Sequence, residues 1–144
     1  MGCMDVEGFH APNLGTAGLR HAIRLALARA HRSAADIGLL IWAPQGNRQD
    51  LKVLRAGEEI PALARLPLVT TTFNTGYIES ASILVSVAAV LAALASGAGL
   101  WPQRTGLPEL DQRPVSATPE CLLALASTDL GYNYAVVFRR GWNL

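Results

Sequence analysis

Between Glu79 and Arg104 the chain carries no charged residue, and the middle of that interval is nearly all Ile, Leu, Val, Ala and Ser. A helix without a charged face must be covered on nearly every side. Glu79 to Ala95 is therefore expected to form a helix buried all round. Leu19, Ile23, Leu27 and Ala30 recur at spacings of three and four, with Arg20, Arg24 and His31 on other faces. That pattern predicts a helix over Thr16 to Arg32. Ser33-Ala34-Ala35-Asp36 is a polar break, and the apolar run Ile37 to Ala43 (IGLLIWA) then has strand length. An unbroken apolar run of this kind is expected where a strand is covered on both faces. Gly46-Asn47 marks a turn, and a second helix is expected over Asp50 to Gly57 with Asp50 as its N-cap.

Pro67 to Thr72 (PLVTTT), rich in β-branched residues, reads as another buried strand. Cys121 to Ser127 and Tyr134 to Arg140 read as two strands joined through a turn at Gly131, a hairpin. Cys3 to Gly8 is a short extended piece, and Trp101 to Pro119 is Pro-rich and irregular. The order β-α-β-α-β-α-β-β calls for right-handed crossovers between parallel strands, closed by one antiparallel member. The expected fold is α/β, a mixed five-stranded sheet with helices on both faces, in one domain over residues 1–144.

Composition changes this picture in one respect. Of the 144 residues, 51% are apolar and only 16% charged, against about 25% charged in an ordinary soluble domain. So little solvated surface points to a partner. The net charge of +1, from 12 basic and 11 acidic residues, and the dispersed arginines give no footprint for nucleic acid. Residues 80–100 are long enough to span a membrane. Ser80, Ser82, Ser86 and Ser96 interrupt them, however, Gly97 and Gly99 break their end, and Glu79 and Pro102 suit the cap and stop of a globular helix. No membrane span is expected.

Cys3 and Cys121 have no metal-ligand spacing, and a reducing cytoplasm is the expected compartment. The N-terminal MGCMDVEGFH lacks the organisation of a signal peptide. No metal or cofactor is expected. His21 and His31 read as solvated, and His10 has no acid or nucleophile placed near it. Cys121 reads as a small buried residue, and Asp129 as a turn residue.

Several segments together resemble the C-terminal half of a β-ketoacyl synthase or its relative, the chain-length factor, both of the thiolase-like fold. Ala26-Leu27 with Ser33 to Ile37 resembles the family's passage into a buried strand. Ala43-Pro44-Gln45-Gly46-Asn47 with Asp50 is similar to its histidine-bearing "AHGTGT…nD" loop. Val69 to Ser82 resembles its "vsS.K…GH..gAaG" loop and the helix behind it. Gly99-Leu100-Trp101-Pro102 resembles the exit from that helix. Leu130-Gly131-Tyr132-Asn133 and Ala135 to Arg140 resemble its terminal "fGGtNaslvl.r".

The resemblance implies a layered body in which this half packs its charge-free helix against that of a second half. It also implies where the chemistry would lie, and there the chain departs from the family. Pro44 stands where the first catalytic histidine is expected, Thr72 where the lysine is, and Tyr77 where the second histidine is. The half bringing the nucleophilic cysteine is absent from this sequence. With no catalytic residue assigned, the expectation is a non-catalytic, chain-length-factor-like subunit of fatty-acid or polyketide synthesis. Its partner would be a ketosynthase-like chain, or a second copy in a self-dimer, with an acyl carrier protein reached through the complex. Phe73, Asn74 and Tyr77 would line an acyl pocket. Two alternatives stay open: a thioester-binding or thioester-processing enzyme using Tyr77 and Asn74, and a self-associating remnant. Thr70, Thr71 and Thr72 read either as a polar cradle or as the end of a β-branched strand.

Overall fold

The computed structural model describes residues 7–9, 16–44, 48–72, 81–98, 119–128 and 132–139. In chain order the elements are β1 (Glu7–Phe9), α1 (Thr16–Arg29), β2 (Leu39–Trp42), α2 (Arg48–Glu58), β3 (Leu68–Val69), α3 (Ala81–Ser96), β4 (Cys121–Ser127) and β5 (Asn133–Arg139). The strands form one sheet in the order β1-β5-β4-β2-β3. β2 runs parallel to both β3 and β4, while β5 is antiparallel to β4 and β1. The sheet is mixed, with β5 alone reversed, as the hairpin pattern predicts.

Strict alternation along the strands divides the core in two. Leu40 and Trp42 of β2, Leu123 and Leu125 of β4, and Ala135 and Val137 of β5 face α1 and α2. Leu39 and Ile41, Leu122 and Ala124, and Val69 face α3 on the other side. All four residues of β2 are buried, which is why IGLLIWA shows no polar alternation. In α1, Leu19, Ile23 and Leu27 are buried and Ala30 packs beside them, the stripe expected from their spacing.

Several boundaries differ from the sequence expectations. α1 ends at Arg29 because His31 takes a left-handed conformation (φ 50°). Its N–H then donates to the Ala28 carbonyl and that of Arg32 to Leu27, at 3.1 and 2.9 Å, a Schellman closure. α2 begins at Arg48, so Asp50 lies inside the first turn, buried, and is not the N-cap. There its carboxylate still meets the positive end of the helix dipole. β2 and β3 are shorter than their apolar runs, since β3 lies at the sheet edge and only Leu68 and Val69 form ladder pairs. Of the extended piece expected over Cys3 to Gly8, Glu7 and Gly8 belong to β1 and residues 3–6 lie outside the described residues, as do 101–118 of the irregular stretch Trp101 to Pro119, the Gly131 turn, Glu79 and Ser80.

The largest correction concerns α3, which is not covered all round. Its buried side chains are Ser82, Ser86, Val87 and Val90, whereas Ala81, Leu84, Ala88, Ala89, Ala92 and Ala95 are exposed. Leu84 is 68% exposed. The helix lies on β2 and β4 with two serines turned inward and its apolar back turned out. The charge-free pattern records a need for cover that the described residues do not meet. No helix among the described residues is long and apolar enough to cross a membrane.

Candidate functional site

In parallel sheets ligands bind beyond the carboxyl ends of the strands, and both described sequence candidates lie there. β2 and β3 pair at Ile41 and Val69, and β2 and β4 pair at Trp42 and Leu125. Pro44 follows β2 by two residues and Thr72, already helical, follows β3 by three, so both lie beyond the carboxyl ends of their strands, and Ser127 ends β4 on the same side. Ser127 is in turn the ladder partner of Asn133 on β5. The carboxyl edge thus collects, in the strand order β3, β2, β4, β5, a row of Thr72, Pro44, Ser127 and Asn133, every member buried.

The hydrogen bonds along the row are those of neutral groups. The Thr72 N–H donates to Thr70 Oγ1 at 3.2 Å, and the Thr70 hydroxyl donates to Thr72 Oγ1 at 3.3 Å. Thr71 and Ser86 hydroxyls meet at 2.9 Å, which ties the end of β3 to the buried side of α3. The Ser127 hydroxyl donates to Asn133 Oδ1 at 3.0 Å, with Asn133 only 1% exposed. Behind that pair the Thr128 N–H donates to the Tyr132 carbonyl at 2.9 Å, and the Tyr132 N–H to Thr128 Oγ1 at 3.2 Å. The three threonines are both things the sequence allows, a β-branched strand end and a polar cluster. Their hydroxyls bond to each other and to α3.

Such a row can position a carbonyl or amide by hydrogen bonding. Nothing in it offers a thiol, an imidazole or an amine, and Pro44 offers no side-chain donor at all. Phe73, Asn74 and Tyr77 lie outside the described residues, as do His10, Cys3 and Asp129. His21 and His31 are exposed, and Cys121 is a buried free thiol at the opposite, amino end of β4. Among the described residues no group of three His, Cys, Asp or Glu could hold a metal ion.

Two polar pairs escaped the sequence reading. Ser86 reads as an interruption of an apolar helix, yet it is fully buried against Thr71. Ser127 and Asn133 sit at the ends of two apolar runs six residues apart, a spacing that signals a hairpin but not which side chains meet across it.

No family model matches the sequence, and no curated protein matches it. Solved structures do match in shape. One is a chain of a type II polyketide synthase assembly described as an acyl-carrier protein in complex with its ketosynthase bound to the hexaketide. The TM-score is 0.74 at 18% identity, over 94% of this chain and 37% of that one. Two are oxazolomycin ketosynthase domains of Streptomyces albus JA3453. OzmH KS8 gives a TM-score of 0.68 at 20% identity, over 94% of this chain and 43% of that one. OzmH KS7 gives 0.71 at 20%, over 98% and 30%. The chain has the fold of a ketosynthase-like half-domain, and it spans less than half the length of each of these three chains.

Proposed function

We propose that the chain is a non-catalytic ketosynthase-like subunit, akin to a chain-length factor, that pairs with a ketosynthase-type partner in the cytoplasm. It shapes or steadies the acyl site of that partner in fatty-acid or polyketide synthesis and meets an acyl carrier protein through the complex. The observation that carries this reading is the carboxyl-edge row. Pro44 and Thr72 stand at its centre and edge, buried, where the resemblance expects a histidine and a lysine. Those family residues polarise a thioester and stabilise an oxyanion by electrostatics, and neither Pro nor Thr supplies a positive charge. Phe73, Asn74 and Tyr77 are the proposed pocket lining.

The test is reconstitution. The chain alone should neither decarboxylate malonyl thioesters nor condense acyl thioesters. Added to a ketosynthase-type chain that carries a nucleophilic cysteine, it should co-elute and change the rate or product length. Turnover by the chain alone, lost in Tyr77→Phe, would replace this reading with the thioester-processing enzyme. No co-elution and no effect on any such partner would remove it.

A further inference from the structure

The ladder between β3 and β2 ends at Val69, and from there hydroxyl groups take over from backbone pairing. Thr70 and Thr72 bond to each other, and Thr71 reaches across to Ser86 of α3 at 2.9 Å, an ordinary separation for a hydroxyl pair. Ser86 is fully buried, and Ser82, one turn earlier on the same face of the helix, is buried with it. Beside them Val87 and Val90 pack on Leu39, Ile41 and Val69. A hydroxyl placed in such surroundings costs free energy unless it is bonded, and an alanine at residue 86 would avoid that cost. Instead α3 turns its serines inward and Leu84 outward, the reverse of what packing alone selects.

The two bonded residues are 15 positions apart in the chain, one on each stem of the connection that runs from Thr72 through residues 73–80 to Ala81. Holding the stems together fixes where that connection leaves the sheet and where it enters the helix. Phe73, Asn74 and Tyr77, the proposed pocket lining, belong to it. We propose that Thr71 and Ser86 are positioning residues of the acyl site, a neutral latch whose hydroxyl bond sets the reach of the pocket. Acyl transfer is sensitive to displacements of about 1 Å, and a bond between a buried group and a half-buried one limits displacement on that scale. The latch acts through residues 73–80 and not on a reacting atom. It deepens the reading of the chain as a subunit that shapes a partner's acyl site, and it rests on that reading.

The full chain is reconstituted with a ketosynthase-type chain, and product length, kcat and KM are read for each variant. Ser86→Ala and Thr71→Val should each lower kcat by about 2- to 10-fold, the worth of one neutral hydrogen bond, and broaden the product lengths. KM and the affinity between the two chains should stay at wild-type values. The double variant should be no worse than the worse single one, because both remove the same bond. Thr71→Ser keeps the hydroxyl and should behave as wild type. Val90→Ala, which opens a cavity on the same side of the sheet, should lower the melting temperature and leave kcat and products unchanged. The latch is overturned, and the functional reading stands, if Ser86→Ala and Thr71→Val match wild type, if Val90→Ala alters kcat and products as much as they do, or if Thr71→Ser fails to preserve them. A wild-type chain without effect on any ketosynthase-type partner removes both.

Discussion

Asp36 closes the turn between α1 and β2. The Ser33 N–H and the Ser33 hydroxyl both donate to its Oδ2, at 2.7 and 2.9 Å. Those two bonds, with the Arg32 charge nearby, hold its carboxyl below the ordinary value of 3.8. A depressed carboxyl stabilises the fold above its unfolded value and loses that contribution as pH falls through the folded value. Asp36→Asn should therefore lower stability at neutral pH. The gap to wild type, followed by denaturant melts from pH 7 down, should hold until about pH 4 and close below it. His31 is the other residue held by its backbone, at φ 50°. An L-residue costs about 1–2 kcal/mol there, and glycine escapes that cost while losing some of the gain to its freer unfolded chain. His31→Gly should raise unfolding free energy by about 0.5–1 kcal/mol, read from the denaturant midpoint. Neither feature was legible beforehand. The Ser-to-Asp spacing marks a polar break, and a histidine gives no sign that the helix closes on it.

Elements were legible where periodicity was strong. The α1 stripe, the two-sided burial of β2 and the β4–β5 hairpin all follow from patterns of apolar residues. Their ends were not, because ends depend on ladder partners and caps contributed by other segments. Two glycines separate the kinds of constraint involved. Gly57 lies in α2, and a Cβ there would meet only Leu40 Cδ1 at 4.0 Å. Gly57→Ala should stabilise by about 0.5–1 kcal/mol through helix propensity, measurable as a raised melting temperature. Gly38, entering β2, would place its Cβ 2.7 Å from Pro119 Cβ, so Gly38→Ala should destabilise by moving the segment that enters β4. The same melt with opposite sign checks it. At the carboxyl edge, Asn133→Ala removes the acceptor of the buried Ser127 hydroxyl and should cost about 1–3 kcal/mol, with α1 packing unaffected. The candidate site was only half legible for the same reason. Pro44 and Thr72 could be placed by resemblance, but only the strand order brings them to the same end of the sheet as Ser127 and Asn133.

At the scale of the whole molecule, charge-poor composition and the uncharged helix both pointed to missing cover. They did not show which side of α3 lacks it, because burial by the sheet and burial by a partner leave the same mark on a sequence. Only the inward serines and the outward Leu84 separate the two. A partner seated on the exposed back of α3 makes the stability of this fold a mass-action quantity. Whatever binds the folded chain and not the unfolded one adds RT ln(1 + [L]/Kd), about 2.7 kcal/mol at a hundredfold excess over Kd. The melting temperature should accordingly climb with added ketosynthase-type partner in the wild type and stay flat in Leu84→Glu, as scanning calorimetry over a titration series would record. A chain of this kind has no single stability. It has one for each concentration of its partner.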